Sequence, residues 1–229
     1  MLREIVFDTE TTGLDVAKGD RLIELGCVEI VNRIPTGREF HRYVNPERDL
    51  HRDAVEVHGL TTEFLRDKPL FKEVADEFLD FIGTAPLVAH NATFDLAFLN
   101  AELARLAKPA LRADRLVDTL ALARRRHPAG PNSLDALCKR YGIDNSQRIK
   151  HGALMDSLLL ASVYVELLGE RQATLGLGQG DGESALELRM LPALPRPQPL
   201  PSRLMEAGEA LHREFVKTLG PKALWLRFL

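Results

Sequence analysis

Cysteine is scarce in this chain: 229 residues contain two, Cys27 and Cys138. Both lie in apolar-patterned segments. They are expected to be buried thiols in a reducing compartment rather than a disulfide. Long apolar runs are also missing, so no segment is expected to cross a bilayer. The first residues lead straight into a strand pattern without a signal-peptide pattern, and the expected location is the cytoplasm. Neither sign of charge dominates, with 30 basic and 33 acidic residues and a net charge of −3. Proteins that grip long nucleic acid by counterion release are basic. Any nucleic acid handled here is therefore touched over a short length, through metal, or delivered by a partner. Hydrophobic residues, by contrast, make up 45 % of the chain, enough for a sizeable core. The length suits one domain plus an appendage.

The pattern along the chain gives the architecture. Ile5-Val6-Phe7 reads as a buried strand that runs into Asp8-Thr9-Glu10 and ends near Gly13. Residues 21–32 alternate as a second strand, Pro35-Thr36-Gly37 reads as a turn, and 38–44 as a third strand. Short helical pieces are expected around 52–57 and 61–66, then a helix over 71–82. A short strand over 86–90 precedes a helix over 92–107 whose expected buried side carries Phe94, Leu96, Ala97, Phe98, Leu99, Leu103 and Leu106. A fifth strand is expected at 115–119, followed by helices near 119–126, 133–141 and 152–168. This order implies an α/β fold, a mixed five-stranded sheet with a three-stranded antiparallel meander, parallel strands and flanking helices. Ligands collect at strand ends in such sheets.

Residues 171–201 are rich in glycine and then in proline, which marks a linker after a domain of residues 1–170. Residues 202–229 form the last segment. Its helical pattern over 202–219 has Ser202 as an expected cap. Leu204, Ala207, Leu211, Phe215 and Leu219 form one apolar stripe, and Glu209 and Arg213 an i,i+4 pair. The apolar tail beyond it contains Trp225 and Phe228.

The chemistry lies in acids. Side chains at i and i+2 of a strand share a face, so Asp8 and Glu10 should project together from the strand end. Two adjacent carboxylates raise each other's pKa, and a divalent cation with hard oxygen ligands relieves them. Asp95 falls in the first turn of one helix and Asp156 near the start of another, otherwise apolar one. An acid in such a helix is costly to bury unless paired or metal-bound. His151 lies in the loop just before it.

Together the motifs DTETTG (8–13), HNATFD (90–95) and HGALMD (151–156) resemble those of the DEDDh exonucleases, and the resemblance covers residues 3–168. It implies a ribonuclease H-like fold and a hydrolase using two divalent ions, Mg²⁺ or Mn²⁺. On that resemblance Asp8 bridges both ions, Glu10 and Asp156 complete one site, and Asp95 holds the other mainly through water. His151, which titrates near neutrality, is then the general base. VEIVNR (28–33), VHGL (57–60), residues 67–82 and residues 132–146 are similar to the epsilon-subunit branch of that family, the proofreading 3′→5′ exonucleases of bacterial DNA polymerase III. That similarity implies a single-stranded 3′ DNA end as substrate. Asp8, Glu10 and Asp156 would contact it, together with Thr9, Thr11, Leu14 and Phe94 on the base and sugar side and Asp53 and His58 from a loop. The branch usually has Glu where this chain has Asp53.

The same similarity implies that the 202–229 segment docks on the polymerase alpha subunit. Residues 172–177, QATLGL, look like a degenerate sliding-clamp peptide, and a small theta-like accessory subunit would bind the nuclease domain. RNA-trimming relatives share all three motifs, so the five catalytic residues do not separate DNA from RNA. A non-catalytic scaffold holding polymerase and clamp is a third reading.

Overall fold

The computed structural model describes residues 2–169, 205–221 and 224–227. The chain divides into two units, 1–175 and 176–229.

The first unit is built on β1 (Arg3–Thr11). This strand pairs antiparallel with β2 (Leu22–Val31) and parallel with β4 (Leu87–Ala89). With β3 (Ile34–Tyr43) and β5 (Leu116–Asp118) at the edges, the sheet order is β3-β2-β1-β4-β5. The mixed five-stranded sheet expected from the sequence is therefore present. The turn between β2 and β3 is not at 35–37 but at Asn32 and Arg33, both with positive φ (49° and 67°). Two consecutive left-handed residues form the tight turn whose twist suits a hairpin. Pro35 instead lies within β3, opposite Ile30, next to an irregularity in the ladder. An edge strand tolerates proline at such a place.

Helices cover both faces. They are α1 (Arg52–His58), α2 (Thr62–Leu65), α3 (Phe71–Ile82), α4 (Ala92–Arg105), α5 (Thr119–Arg126), α6 (Leu134–Tyr141) and α7 (Ala153–Leu168). On one face Ile5, Phe7, Cys27 and Phe40 pack with Val74 and Phe78 of α3 and Leu99 and Leu103 of α4. On the other, Val6, Ile30 and Val88 pack with Leu137 of α6 and Leu160, Val163 and Tyr164 of α7. A central strand covered on both sides must be apolar at consecutive positions, which explains the Ile5-Val6-Phe7 run. Cys27 and Cys138 are buried free thiols.

On α4 the buried stripe runs through Asp95, Phe98, Leu99, Glu102 and Leu103, whereas Ala97 is exposed. Two residues are 200° of helix rotation, so position 97 faces away from 95 and 99. Ser133 caps α6, its Oγ accepting from the Ala136 N–H at 3.3 Å, and Gly142 closes that helix in the left-handed region.

α7 decides where the site forms. It crosses β2 at Gly26, with no room to spare. A methyl there would stand 2.5 Å from the Ala153 carbonyl oxygen and closer still to the Ala153 carbonyl carbon and the Leu154 nitrogen. The Ser157 hydroxyl donates to the Gly26 carbonyl at 3.0 Å. Gly26 is the register partner of Asp8, so this contact lays the start of α7 beside the acidic end of β1.

In the second unit α8 spans Glu206–Thr218 with Met205 at its N-cap. The helix thus begins later than 202, and Ser202 and Leu204 lie outside the described residues. Ala207, Leu211, Phe215 and Leu219 are exposed, while Val216 is buried. Arg213 donates to Glu209 at 2.9 Å, and Trp225 meets the His212 ring edge-on at 5.9 Å. Phe228, residues 172–177 and the whole of 171–201 also lie outside the described residues. No helix among the described residues is long and apolar enough to cross a membrane.

Candidate active site

Four acids converge from three elements. β1 supplies Asp8 and Glu10, from the same side as Val6, the side that α7 covers. The first turn of α4 supplies Asp95, and the first turn of α7 supplies Asp156. Single ligand atoms of Glu10, His151 and Asp156 lie within 4.8 Å of one another, close enough to share a cation. Asp8 stands beside this trio. Burial pushes its pKa well above the usual carboxylate range, and the charges of Asp95, Glu10 and Asp156 push it further.

Glu10 is pushed up to about 8 by burial first and then by Glu24, Asp156 and Asp95. Glu24 lies directly opposite Glu10 on β2 and is held by His41 Nε2 at 2.7 Å. Sequence reading passes over this fifth acid, because only strand register brings it to Glu10. Asp95 rises to about 7 because burial outweighs two hydrogen bonds, from the Thr9 N–H at 3.1 Å and the Thr9 hydroxyl at 2.7 Å, to its Oδ1. Carboxylates held this way take up protons near neutrality unless a cation replaces them. The all-oxygen acidic set with one imidazole suits a hard divalent ion.

His151 belongs to the loop before α7, where its N–H donates to the Val57 carbonyl at 3.3 Å. Its Nδ1 accepts from Arg148 Nη2 at 2.9 Å and lies 3.5 Å from Asp156 Oδ2. Burial, then the Arg148 charge, lowers its pKa. Because Nδ1 accepts, the neutral ring carries its proton on Nε2 in this arrangement. Arg148 is the participant that motif reading overlooked. Its side chain is 6 % exposed and forks onto both Asp156 oxygens, at 2.5 and 2.6 Å.

Next to the acids is a cavity of about 410 Å³. Thr9, Glu10, Thr11, Leu14, Asp53, His58 and Phe94 all line it, together with Asp20 and His51. Thr9 and Thr11 are also structural: the Thr11 hydroxyl donates to the Gly13 carbonyl at 2.6 Å. Asp53 is exposed at the start of α1. His58 is buried at the other end of that helix. Its Nδ1 accepts from the Leu60 N–H at 3.0 Å, while its buried Nε2 faces the Thr11 backbone, out of line for a full hydrogen bond. Burial lowers its pKa, so the ring is neutral at pH 7. A buried polar atom without a partner, at a cavity wall, is a place for a ligand atom.

The rest of the second motif is scaffolding. His90 donates from Nδ1 to the Thr119 hydroxyl at 3.0 Å, which in turn donates to the Ala89 carbonyl. Asn91 takes a left-handed φ of 63° and its N–H donates to Asp118 at 3.1 Å. This turn aims Asp95 back at β1.

A sequence profile of the family described as Exonuclease (RNase_T) matches residues 5–164, which include every acid of the site and His151. The chain belongs to this exonuclease family. Among curated relatives it is 54 % identical over 175 residues to the DNA polymerase III subunit epsilon of Rickettsia felis, covering 75 % of this chain and 76 % of that one. It is 49 % identical over 174 residues to the protein of that name in Escherichia coli K12, covering 73 % and 72 %. Among solved structures, exonuclease X bound to 5′-overhanging duplex DNA superposes with a TM-score of 0.57 at 27 % identity, over 74 % of this chain and 92 % of that one. The nuclease domain of 3′hExo, a DEDDh family member bound to rAMP, shares the fold with a TM-score of 0.62 at 20 % identity, over 73 % of this chain and 92 % of that one. Membership of this family carries divalent-metal dependence with it, and the acids described above fit that requirement.

Proposed function

We propose that this exonuclease is the proofreading subunit of a replicative DNA polymerase, removing nucleotides from the 3′ end of a primer strand as nucleoside 5′-monophosphates. The observation that carries the reading is the meeting of Asp8, Glu10, Asp95 and Asp156 beside His151, with Glu10 also lining a cavity of about 410 Å³. The relatives named DNA polymerase III subunit epsilon direct it to DNA.

Asp8, Glu10, Asp95 and Asp156 are the residues to hold two divalent ions, Mg²⁺ or Mn²⁺. When bound, such ions neutralise charge on the attacking and leaving oxygens and acidify water. His151 takes the proton of the attacking water. The lone pair available for this is on Nδ1, now engaged by Arg148, so the ring exchanges that contact for water as substrate binds. The ring is on a loop and half exposed, which leaves it room to turn. His58 Nε2 donates to the terminal nucleotide, and Phe94 and Leu14 flank the base and sugar. Preference for mismatched ends follows from fraying, because an unpaired nucleotide is cheaper to peel from the stack.

The exposed stripe of α8 with Trp225 is the docking element for the polymerase alpha subunit, in the manner of an amphipathic helix in a groove. Residues 172–177 are assigned to the sliding clamp, and a theta-like subunit to the nuclease domain. The protein works in the cytoplasm. Truncation after residue 200 is expected to spare nuclease activity and abolish co-purification with the polymerase; unaltered co-purification rules the docking role out.

The deciding experiment is digestion of end-labelled single-stranded DNA and RNA of one sequence, with Mg²⁺, with Mn²⁺ and with chelator. Metal-dependent shortening of DNA from its 3′ end, with RNA cut poorly, is expected. RNA trimmed as fast would move the chain to the RNA-processing relatives. No cleavage of either would leave only the scaffold reading.

A further inference from the structure

We propose that Arg148 is a positioning residue of the nuclease site: its guanidinium fixes the Asp156 carboxylate and ties the start of α7 to α6 through Asp135. The inference rests on the nuclease reading above. One planar group makes every contact. Nε and Nη2 take the two Asp156 oxygens at 2.5 and 2.6 Å, and Nη1 takes Asp135 Oδ2 at 2.7 Å. Nη2 also reaches His151 Nδ1 at 2.9 Å. Asp135 is in the first turn of α6, and its other oxygen accepts from Asn145 at 3.0 Å. The fork is therefore anchored at its far side as well. The Arg148 and Asp156 side chains are 6 % and 4 % exposed, so water competes little for the pair.

A bidentate fork fixes both the position and the plane of a carboxylate, which a lysine ammonium cannot do. Asp156 needs that restraint. It must present an oxygen toward Glu10 while surrounded by other acids that repel it. The same arginine holds the loop that carries His151. Lys150 Nζ donates to the Glu56 carbonyl at 2.5 Å, and the His151 N–H to the Val57 carbonyl, so this loop is pinned to α1 on its other side.

Charge alone argues for the opposite effect. A guanidinium beside metal ligands repels an incoming cation, so if Arg148 acted only as a charge, its removal would tighten metal binding. Orientation of a ligating carboxylate works the other way, and loss of such outer partners commonly costs 10–100-fold in metal affinity or activity. The sign of the change separates the two.

The test uses the full chain as wild type, Arg148→Gln, Arg148→Lys and Asp135→Asn. Mn²⁺ binding is titrated directly by paramagnetic resonance of the free ion, kcat and KM are measured on labelled single-stranded DNA, and thermal unfolding checks the fold. Both Arg148 variants are expected to bind Mn²⁺ and turn over roughly 10–100-fold less well, with KM for DNA changed by less than about threefold. Lysine should fail to rescue, because it keeps the charge and loses the fork. Asp135→Asn, more than half exposed and outside the reacting groups, should shift both quantities the same way by less. Unchanged or tighter Mn²⁺ binding with kcat retained in either Arg148 variant overturns the proposal. Should those variants fail to fold, wild-type Mn²⁺ affinity and kcat in Asp135→Asn overturn it equally. A wild-type chain that neither binds Mn²⁺ nor degrades DNA overturns the nuclease reading itself, and this proposal with it.

Discussion

Gly26→Ala is a single methyl, well separated in sequence from Asp8, Glu10, Asp95 and Asp156, yet it should disable the site. The added carbon would stand 2.5 Å from the Ala153 carbonyl oxygen, against 3.4 Å or more for an ordinary contact. These neighbours are backbone atoms, so no side chain can swing away. α7 must therefore lift from β2 by about 1 Å. Overpacking of this kind costs about 1–3 kcal/mol. For a domain of this size that lowers Tm by roughly 2–12 °C. The catalytic cost is larger. Asp156 and the loop of His151 ride on α7 while Asp8 and Glu10 stay on β1, and a displacement near 1 Å between cooperating groups is worth roughly 100-fold in turnover. The assay is kcat on end-labelled single-stranded DNA in saturating Mn²⁺, well below the variant's Tm. Ser157→Ala serves as control, since it removes the hydrogen bond to Gly26 without forcing the helix outward. A Gly26→Ala enzyme with wild-type kcat would refute the claim that this crossing sets the geometry of the site.

Asp8→Asn should abolish metal-dependent cleavage while raising the thermal stability of chelator-treated protein, because it removes one member of a buried, mutually repelling set; residual turnover in this variant counts against its role as a metal ligand. Glu10 and Asp95, with pKa values of about 8 and 7 in the fold, hold protons there that an unfolded chain releases above about pH 5. Their contribution to stability is full below the unfolded values and is lost as pH rises through 7–8, so with chelator present Tm should fall from pH 5 to pH 9, and Mn²⁺ should reverse the fall. Binding of Mn²⁺ near pH 7 should also release protons, seen as a calorimetric heat that varies with buffer; a buffer-independent heat would contradict the raised pKa values. His58→Ala should raise KM for DNA about fivefold, the worth of one hydrogen bond of ~1 kcal/mol, with less effect on kcat; unchanged kinetics would return His58 to a purely structural role.

Local pattern was enough for the elements of the nuclease unit. The apolar run of β1, the 3.6-residue period of α3 and the Ser133 and Gly142 signals of α6 are near-neighbour chemistry, legible without a structure. Local signals misplace the hairpin turn, because Pro35-Thr36-Gly37 is a strong one, whereas two left-handed residues at 32–33 are selected by strand pairing. Ala97 shows the same limit: its apolarity says nothing about which way α4 turns.

The sequence by itself determined the kinds of chemistry available: acids spaced i,i+2 at a strand end, acids in the first turns of two helices, and a histidine ahead of the second. Those are short-range facts, because strand and helix periodicity set the side-chain directions. Only the tertiary structure decided that these groups meet, that Glu24 joins them through register, and that burial raises three of their pKa values. It alone brings Arg148 across to clasp Asp156 and Asp135. Electrostatics depends on distance and desolvation in space, and the seating of α7 on Gly26 sets both where Asp156 meets Asp8 and Glu10.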